Sequence, residues 1–268
     1  IKKMRKLVAA IAVRNTGSRL YGKPIQNLDI ENGITILDNL VDCIKTINCI
    51  DDVCLGISEG VENKIYIDIA NKKKINYIVG DEHDVLDRLI QCGKSTGATD
   101  IFRVTSEDPF LYYEEIESAW QKHISQNSDY TTHDNIIDGI GFSITKLSAF
   151  EISHKNGNQN HRSEFCNLYI RENMEKFNTI ILPTPETLIR KDLRLTVDYP
   201  EDLIVCRKIY ANLKNHAPRI PIDLVINFLD ENPELIKLIE PYTEIGYSTN
   251  VLVMSKKGQK LWIKAKKI

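Results

Sequence analysis

Residues 7–24 read LVAAIAVRNTGSRLYGKP, and the rest of the chain is organised around them. The first part, Leu7 to Val13, is a short unbroken apolar run, the pattern of a strand covered on both faces. It gives way to Arg14, Asn15, Thr16, Gly17, Ser18 and Arg19, and then to Gly22, Lys23 and Pro24. Three cations, two hydroxyls and two glycines thus fall within ten residues. Such a turn offers backbone N–H groups and fixed positive charge to one polyanion. The glycines let the main chain approach the ligand. The arginines present forked donors to phosphate oxygens, and the lysine acts as a point charge. The spacing is neither GxxxxGK[ST] nor GxGxxG, so the turn alone does not separate a phosphate site from a solvated basic loop.

Downstream, strand and helix patterns alternate. Apolar residues at 36, 37, 40, 41 and 44 predict a helix over 34–47. Strands are predicted at 53–57, 75–79 and 101–105, with helices at 61–73, 84–95 and 114–125. This order predicts an α/β fold of layered type with a mainly parallel, mixed sheet. Ligands in such sheets bind beyond the carboxyl ends of the strands. The middle of the chain is less regular. It predicts strands at 129–133 and 140–145, a helix at 146–153, a loop at 155–160, a helix at 161–174 and a strand at 179–182. A further strand at 193–197 leads into a helix at 201–213. Two short helices at 221–230 and 233–239 follow, and residues 250–268 suggest a hairpin turning at 256–258.

Two aspartates stand where an apolar strand ends and a proline follows, Asp108 in VTSEDP and Asp198 in LTVDYPED. Proline interrupts regular structure and leaves each carboxylate at a strand tip. Two such groups facing the basic turn suit Mg²⁺, which takes one or two carboxylates and completes its shell with phosphate oxygens and water. The competing role for Asp198 is to cap the helix that follows. In GDEHDVLDR, residues 80–88, Asp81 is a candidate helix cap and Arg88 a candidate contact to a base or ribose.

The 268 residues carry a formal net charge of −2, which argues against a nucleic-acid binder by bulk electrostatics. No apolar run reaches the ~18 residues of a membrane span. The opening IKKMRKLVAAIAV has a basic lead and an apolar run but no small-residue cleavage site, and reads as the first strand of a cytoplasmic protein. The six cysteines form no CxxC pair and read as reduced thiols. His133, His154, His161 and His216 show no ligand spacing and read as surface or loop residues, and Trp120 reads as core.

Taken together, VRNTGSRLYGKP, GDEHDVLDR, RVTSEDPF, EFCNLYIREN and LRLTVDYPEDL resemble, in order and approximate spacing, the cytidylyltransferases of the spore-coat polysaccharide SpsF type. That group is related to the CMP-Kdo synthetases and, more distantly, to the acylneuraminate cytidylyltransferases. The resemblance spans roughly residues 7–240. It implies a Rossmann-like three-layer nucleotidyltransferase fold and Mg²⁺-dependent transfer of CMP from CTP to an acidic sugar in surface-polysaccharide synthesis, with release of pyrophosphate. It implies that Arg14, Gly17, Ser18, Arg19 and Lys23 hold the triphosphate, with Arg14 and Lys23 acting in catalysis. It further implies that Arg88 lies near the nucleobase and that Asp108 and Asp198 hold the metal. It implies a nucleotidyltransferase domain over 1–215, with a nucleotide half at 1–110 and an acceptor or dimer segment at about 130–185. Residues 216–268 then form a helical and hairpin appendage, and the chain is a homodimer.

The sequence departs from the family pattern in three places. Tyr21 replaces a proline of GSTRLPGK. Gly141 and Ser143 stand where the DGxDxE pattern carries acids. Phe165 replaces the histidine of REHVTPYI. The last two changes fall in the acceptor half, which leaves open another nucleotide, a phosphate or phosphonate acceptor, or a non-catalytic nucleotide-sugar-binding protein.

Overall fold

The computed structural model describes residues 5–17 and 19–250, without the side chains of 244–250. The strands in chain order are β1 (Leu7–Val13), β2 (Asn27–Asp29), β3 (Ile34–Thr35), β4 (Asp52–Ser58), β5 (Asn76–Gly80), β6 (Asp100–Arg103), β7 (Tyr130–His133), β8 (Ser143–Lys146) and β9 (Thr179–Leu182). The α-helices are α1 (Ile36–Lys45), α2 (Ile65–Lys73), α3 (Val85–Thr96), α4 (Ile116–Ser125) and α5 (Leu147–Asn156). They continue with α6 (Gln159–Arg162), α7 (Leu168–Glu172), α8 (Pro200–Leu213), α9 (Ile222–Glu231) and α10 (Pro233–Asn250).

Seven strands make one sheet in the order β5-β4-β1-β6-β8-β7-β9, and β2 pairs with β3 apart from it. β1 lies inside the sheet between β4 and β6, parallel to both. Only β8 runs against its neighbours, antiparallel to β6 and to β7. The sheet is therefore mainly parallel and mixed, as the sequence predicts.

The apolar run of β1 serves both faces through its period of two. Leu7, Ala9, Ile11 and Val13 enter one cluster with Leu37 and Ile44 of α1 and Trp120 of α4. Val8 and Ala10 enter another with Leu86 and Leu89 of α3 and Phe150 of α5. A third cluster joins Leu193, Leu195 and Val197 to α8, α9 and α10 through Leu203, Val225, Leu229 and Ile239. The helices after residue 216 thus share a core with α8.

Several predicted elements differ from those observed. Residues 193–197 alternate in sequence but are buried throughout, and only one β-bridge, Asp138 to Arg194, joins them to another segment among the described residues. The helix predicted over 161–174 is broken into α6 and α7, with Ser163–Asn167 between them. Ser163 Oγ donates to the carbonyl of Asn160 at 2.6 Å and accepts the N–H of Phe165 at 3.3 Å, side-chain bonds that compete with helical ones. The loop predicted at 155–160 shrinks to Gly157 and Asn158. α10 runs well past the predicted 239. The suggested hairpin at 256–258 lies outside the described residues.

His123 is fully buried, its Nε2 3.0 Å from Asp100 Oδ1 and its Nδ1 2.8 Å from Thr131 Oγ1. Burial pushes the imidazole below its ordinary value against the pull of Asp100. Burial likewise lowers His133, opposed by Glu115. A depressed folded-state value means that the unfolded chain binds the proton more readily, so stability is lost as pH falls from about 6.5. Against His123→Gln, the wild type should lose melting temperature between about pH 7.5 and pH 5.5. A difference between the two proteins that is the same at both pH values contradicts this.

Candidate active site

At the carboxyl edge of the parallel strands the chain turns away after Val13, and Asn15 fixes that turn. Its backbone N–H donates to Asn63 Oδ1 at 2.8 Å, its Nδ2 donates to the carbonyl of Glu62 at 2.5 Å, and its Oδ1 accepts the Tyr66 hydroxyl at 2.7 Å. Gly22 closes the turn at φ +59° and returns its N–H to the carbonyl of Asn15 at 2.9 Å. A side chain is strained in that conformation. A Cβ on Gly17 would lie 2.6 Å from the carbonyl oxygen of Leu20. The folded turn delivers Arg19 and Lys23 to a cleft of about 430 Å³ that Asp108 and Asp198 also line.

Asp198 gathers cations. Lys23 Nζ donates to its Oδ1 at 2.6 Å and Arg19 Nη2 to the same oxygen at 3.1 Å, while Arg194 Nη2 donates to Oδ2 at 2.9 Å. Burial, the largest single influence, pushes the carboxyl up; Lys23, Arg19 and Arg194 outweigh it and hold the group below the usual range. The capping role belongs to Asp202, whose Oδ2 accepts the N–H groups of Asp198 and Tyr199, each at 2.9 Å. The Asp198 side chain is left facing the basic turn.

Asp108 is the opposite case. It is 8% exposed, and its Oδ1 is buried with no hydrogen-bond partner. Burial, then the neighbouring Glu107, push its carboxyl well above the usual range, with Asp138 and Asp198 adding to the effect. A buried acid with an unfilled oxygen, among other acids, is a position that a divalent cation would stabilise. Asp108, with its unfilled oxygen, and Asp198 line one cleft with Lys23 and Arg19, a set that would fit Mg²⁺ completed by phosphate and water. Among the described residues no group of three or more His, Cys, Asp and Glu side chains is arranged to hold a metal by itself.

Arg194 and Gly139 assemble the acidic side. Arg194 is 2% exposed; besides Asp198 its Nε lies 2.9 Å from Asp202 Oδ1, and its Nη1 donates to the carbonyl of Tyr242 in α10 at 2.9 Å. Tyr242 stacks on Tyr199 with ring centroids 4.1 Å apart. Residues 193–197 lie directly against the 138–140 loop, where the N–H of Leu195 donates to the carbonyl of Asp138 at 2.7 Å. Gly139 allows this approach: its φ is +95°, and a Cβ there would lie 2.2 Å from the backbone nitrogen of Thr196. Gly139→Ala should cost about 2–4 kcal/mol of stability and displace Thr196 and Asp198. Denaturant titration checks this, and an unchanged midpoint contradicts it.

The other residues singled out from the sequence are placed as follows. Arg14 lies outside the cleft, its Nη1 4.0 Å from Glu82 Oε1. Arg88 is 1% exposed; its Nη1 donates to the carbonyls of Val13 and Gly56 at 3.2 and 2.8 Å, so it braces β1 against β4 near their carboxyl ends. Ser18 lies outside the described residues. The cap of α3 is Asp84, which accepts the N–H of Asp87 at 2.9 Å; Asp81 supports the preceding turn. His133 and His161 are buried beside Glu115 and Glu172 and are not surface groups. Sequence reasoning missed Asn15, Arg194 and Glu107. The one available signal for Arg194 was a charge inside the apolar run LRLTV.

Comparison with known proteins shows what the chain is similar to. The chain is 26% identical to the spore coat polysaccharide biosynthesis protein SpsF of Bacillus subtilis, over 86% of this chain and 97% of that one. It superposes on a cytidylyltransferase from Leptospira borgpetersenii with a TM-score of 0.79 at 20% identity, covering 87% of this chain and 97% of the other. A CMP:2-keto-3-deoxy-manno-octonic acid synthetase solved with CTP superposes with a TM-score of 0.59 at 13% identity, over 77% and 99% of the two chains. The described residues contain no helix long and apolar enough to cross a membrane. The cytidylyltransferase family matches residues 8–240, a span that takes in the basic turn, Asp108 and Asp198, and the chain belongs to that family of nucleotidyltransferases.

Proposed function

We propose that the chain transfers CMP from CTP to an acidic sugar, with Mg²⁺, in the synthesis of a surface polysaccharide. The observation that carries this reading is the meeting of Lys23 and Arg19 with Asp198, at 2.6 and 3.1 Å, in the cleft that also holds the unfilled oxygen of Asp108. Lys23 and Arg19 exchange Asp198 for the incoming triphosphate. Asp198 and Asp108 are then free to hold the metal. Mg²⁺ supplies charge neutralisation on the phosphate oxygens. The acceptor hydroxyl attacks the α-phosphorus, its proton passes to solvent, and the bond to pyrophosphate breaks. Positioning and charge neutralisation carry most of such a step, so the chain's part is to fix the tail of the nucleotide against the acceptor. The polysaccharide context follows the name of the SpsF relative, and CTP and a keto-deoxy acid follow those of the synthetase neighbour.

Pyrophosphate release from CTP, UTP, GTP and ATP, each with a panel of keto-deoxy sugar acids, tests the reading. Release that needs CTP, Mg²⁺ and an acid together supports it; equal release from all four nucleotides, or none while CTP is bound, contradicts it. The same reading makes the chain a cytoplasmic homodimer. Sedimentation giving the mass of two chains supports the dimer, and that of one chain contradicts it.

A further inference from the structure

The cations of the cleft are employed differently. Lys23 and Arg19 are paired with Asp198. Arg171 is paired with Asp134 at 2.7 Å and donates to the Tyr130 hydroxyl at 3.2 Å. Arg103 makes no ion pair with a carboxylate among the described residues; its Nη2 donates to the main-chain carbonyl of Glu164 at 2.7 Å. A guanidinium turned into a cleft without a counter-charge is a receptor for one.

Its surroundings narrow the ligand. Arg103 ends β6 in register with Ser143 of β8, and residues directly opposite in an antiparallel pair share a face. Ser143 Oγ accepts Asn167 Nδ2 at 3.1 Å, while Asn167 Oδ1 is buried and has no hydrogen-bond partner. Arg103, Ser143 and Asn167 all line the cleft that Asp108 and Asp198 line. An unpaired cation beside an unfilled amide acceptor fits an anionic group flanked by a hydroxyl. A neutral sugar would satisfy the amide and leave the guanidinium without compensation.

We propose that Arg103 recognises the carboxylate of the acceptor and that the Asn167 amide receives a hydroxyl beside it. The assignment rests on the reading that this cleft transfers CMP to an acidic sugar. It makes Arg103 a specificity-determining residue for the second substrate, distinct from the Lys23 side of the cleft that meets the nucleotide.

The test uses the full chain with saturating CTP and Mg²⁺. The acceptors are 3-deoxy-manno-octulosonic acid and N-acetylneuraminic acid, each also as its neutral methyl ester. The wild type should prefer acid to ester. Arg103→Gln should raise the acceptor KM roughly 10- to 100-fold, leave the KM for CTP within about twofold, and abolish the preference. Arg103→Lys should restore part of it, as a point charge without the planar fork. The stabilisation of each variant by CTP reports that its nucleotide half is folded. A preference for acid that survives in Arg103→Gln overturns the assignment. So does a parallel rise of both KM values, which is what a mere brace for the 163–167 segment would give. A wild type that binds CTP but uses neither acid overturns the role of Arg103 and leaves the nucleotide half standing; one that binds no CTP overturns both.

Discussion

Asp108→Asn and Asp198→Asn should each lower pyrophosphate release from CTP by about 10³-fold or more, because each removes a carboxylate from the proposed metal position. Their effects on stability should have opposite signs. Asp108 is buried beside Glu107 with one oxygen unfilled, and its carboxyl is pushed well above the usual range. A raised folded-state value means that the native protein holds a proton that the unfolded chain gives up. Stability is therefore lost as pH rises from the unfolded value of about 4 towards the folded one. Asp108→Asn escapes that loss, so the ligand-free variant should melt above the wild type at neutral pH, and the gap should close in acid.

Asp198 is held low by Lys23, Arg19 and Arg194. Asp198→Asn leaves those cations crowded together without their counter-charge and should cost about 2 kcal/mol. Calorimetry beside the activity assay separates the cases. If both variants destabilise alike, the orphan-carboxylate description of Asp108 is wrong. If both retain turnover, the metal position is wrong.

The second large effect concerns Lys23. In the ligand-free protein its ammonium occupies Asp198, the carboxylate proposed for the metal, at 2.6 Å. The wild type should therefore bind Mn²⁺, as a probe for Mg²⁺, poorly alone and at least ~10-fold better once CTP has drawn Lys23 away. Reciprocity requires Mn²⁺ to tighten CTP by the same factor. Lys23→Ala should lower turnover about 10²- to 10³-fold through lost phosphate stabilisation. It should also bind Mn²⁺ more tightly than the wild type in the absence of CTP, since a competing cation has gone. Titration calorimetry with and without CTP checks this. Weaker Mn²⁺ binding by ligand-free Lys23→Ala contradicts the exchange of Lys23 between Asp198 and phosphate.

The sequence shows most clearly those features that one short segment determines. The unbroken apolar run of β1 signals a strand covered on both faces, and the structure sends its alternate residues into two cores. The break from that run into a polar, glycine-bearing turn is equally local, and Gly22 closes the turn at φ +59°. Features that depend on partners distant in the chain are less legible. Residues 193–197 alternate as a strand does, yet their backbone partners are the loops around Asp138 and Glu107, which no local pattern reveals. Arg88 lies in a polar cluster with nothing local to mark it as buried; Gly56 and Gly80, distant in the chain, leave it room. The helix expected at 161–174 breaks because Ser163 takes local backbone bonds, and that break carries Asn167 to the cleft. For Asp198 the deciding fact is a neighbour: Asp202 caps the helix, and so Asp198 does not.

The most direct measurement is the anomalous scattering of Mn²⁺ in crystals grown with a non-hydrolysable CTP analogue. The account predicts a metal peak in contact with Asp108, Asp198 and the phosphates, with Lys23 moved from Asp198 onto the phosphate tail. A metal bound away from both aspartates, with Lys23 still on Asp198, would contradict it.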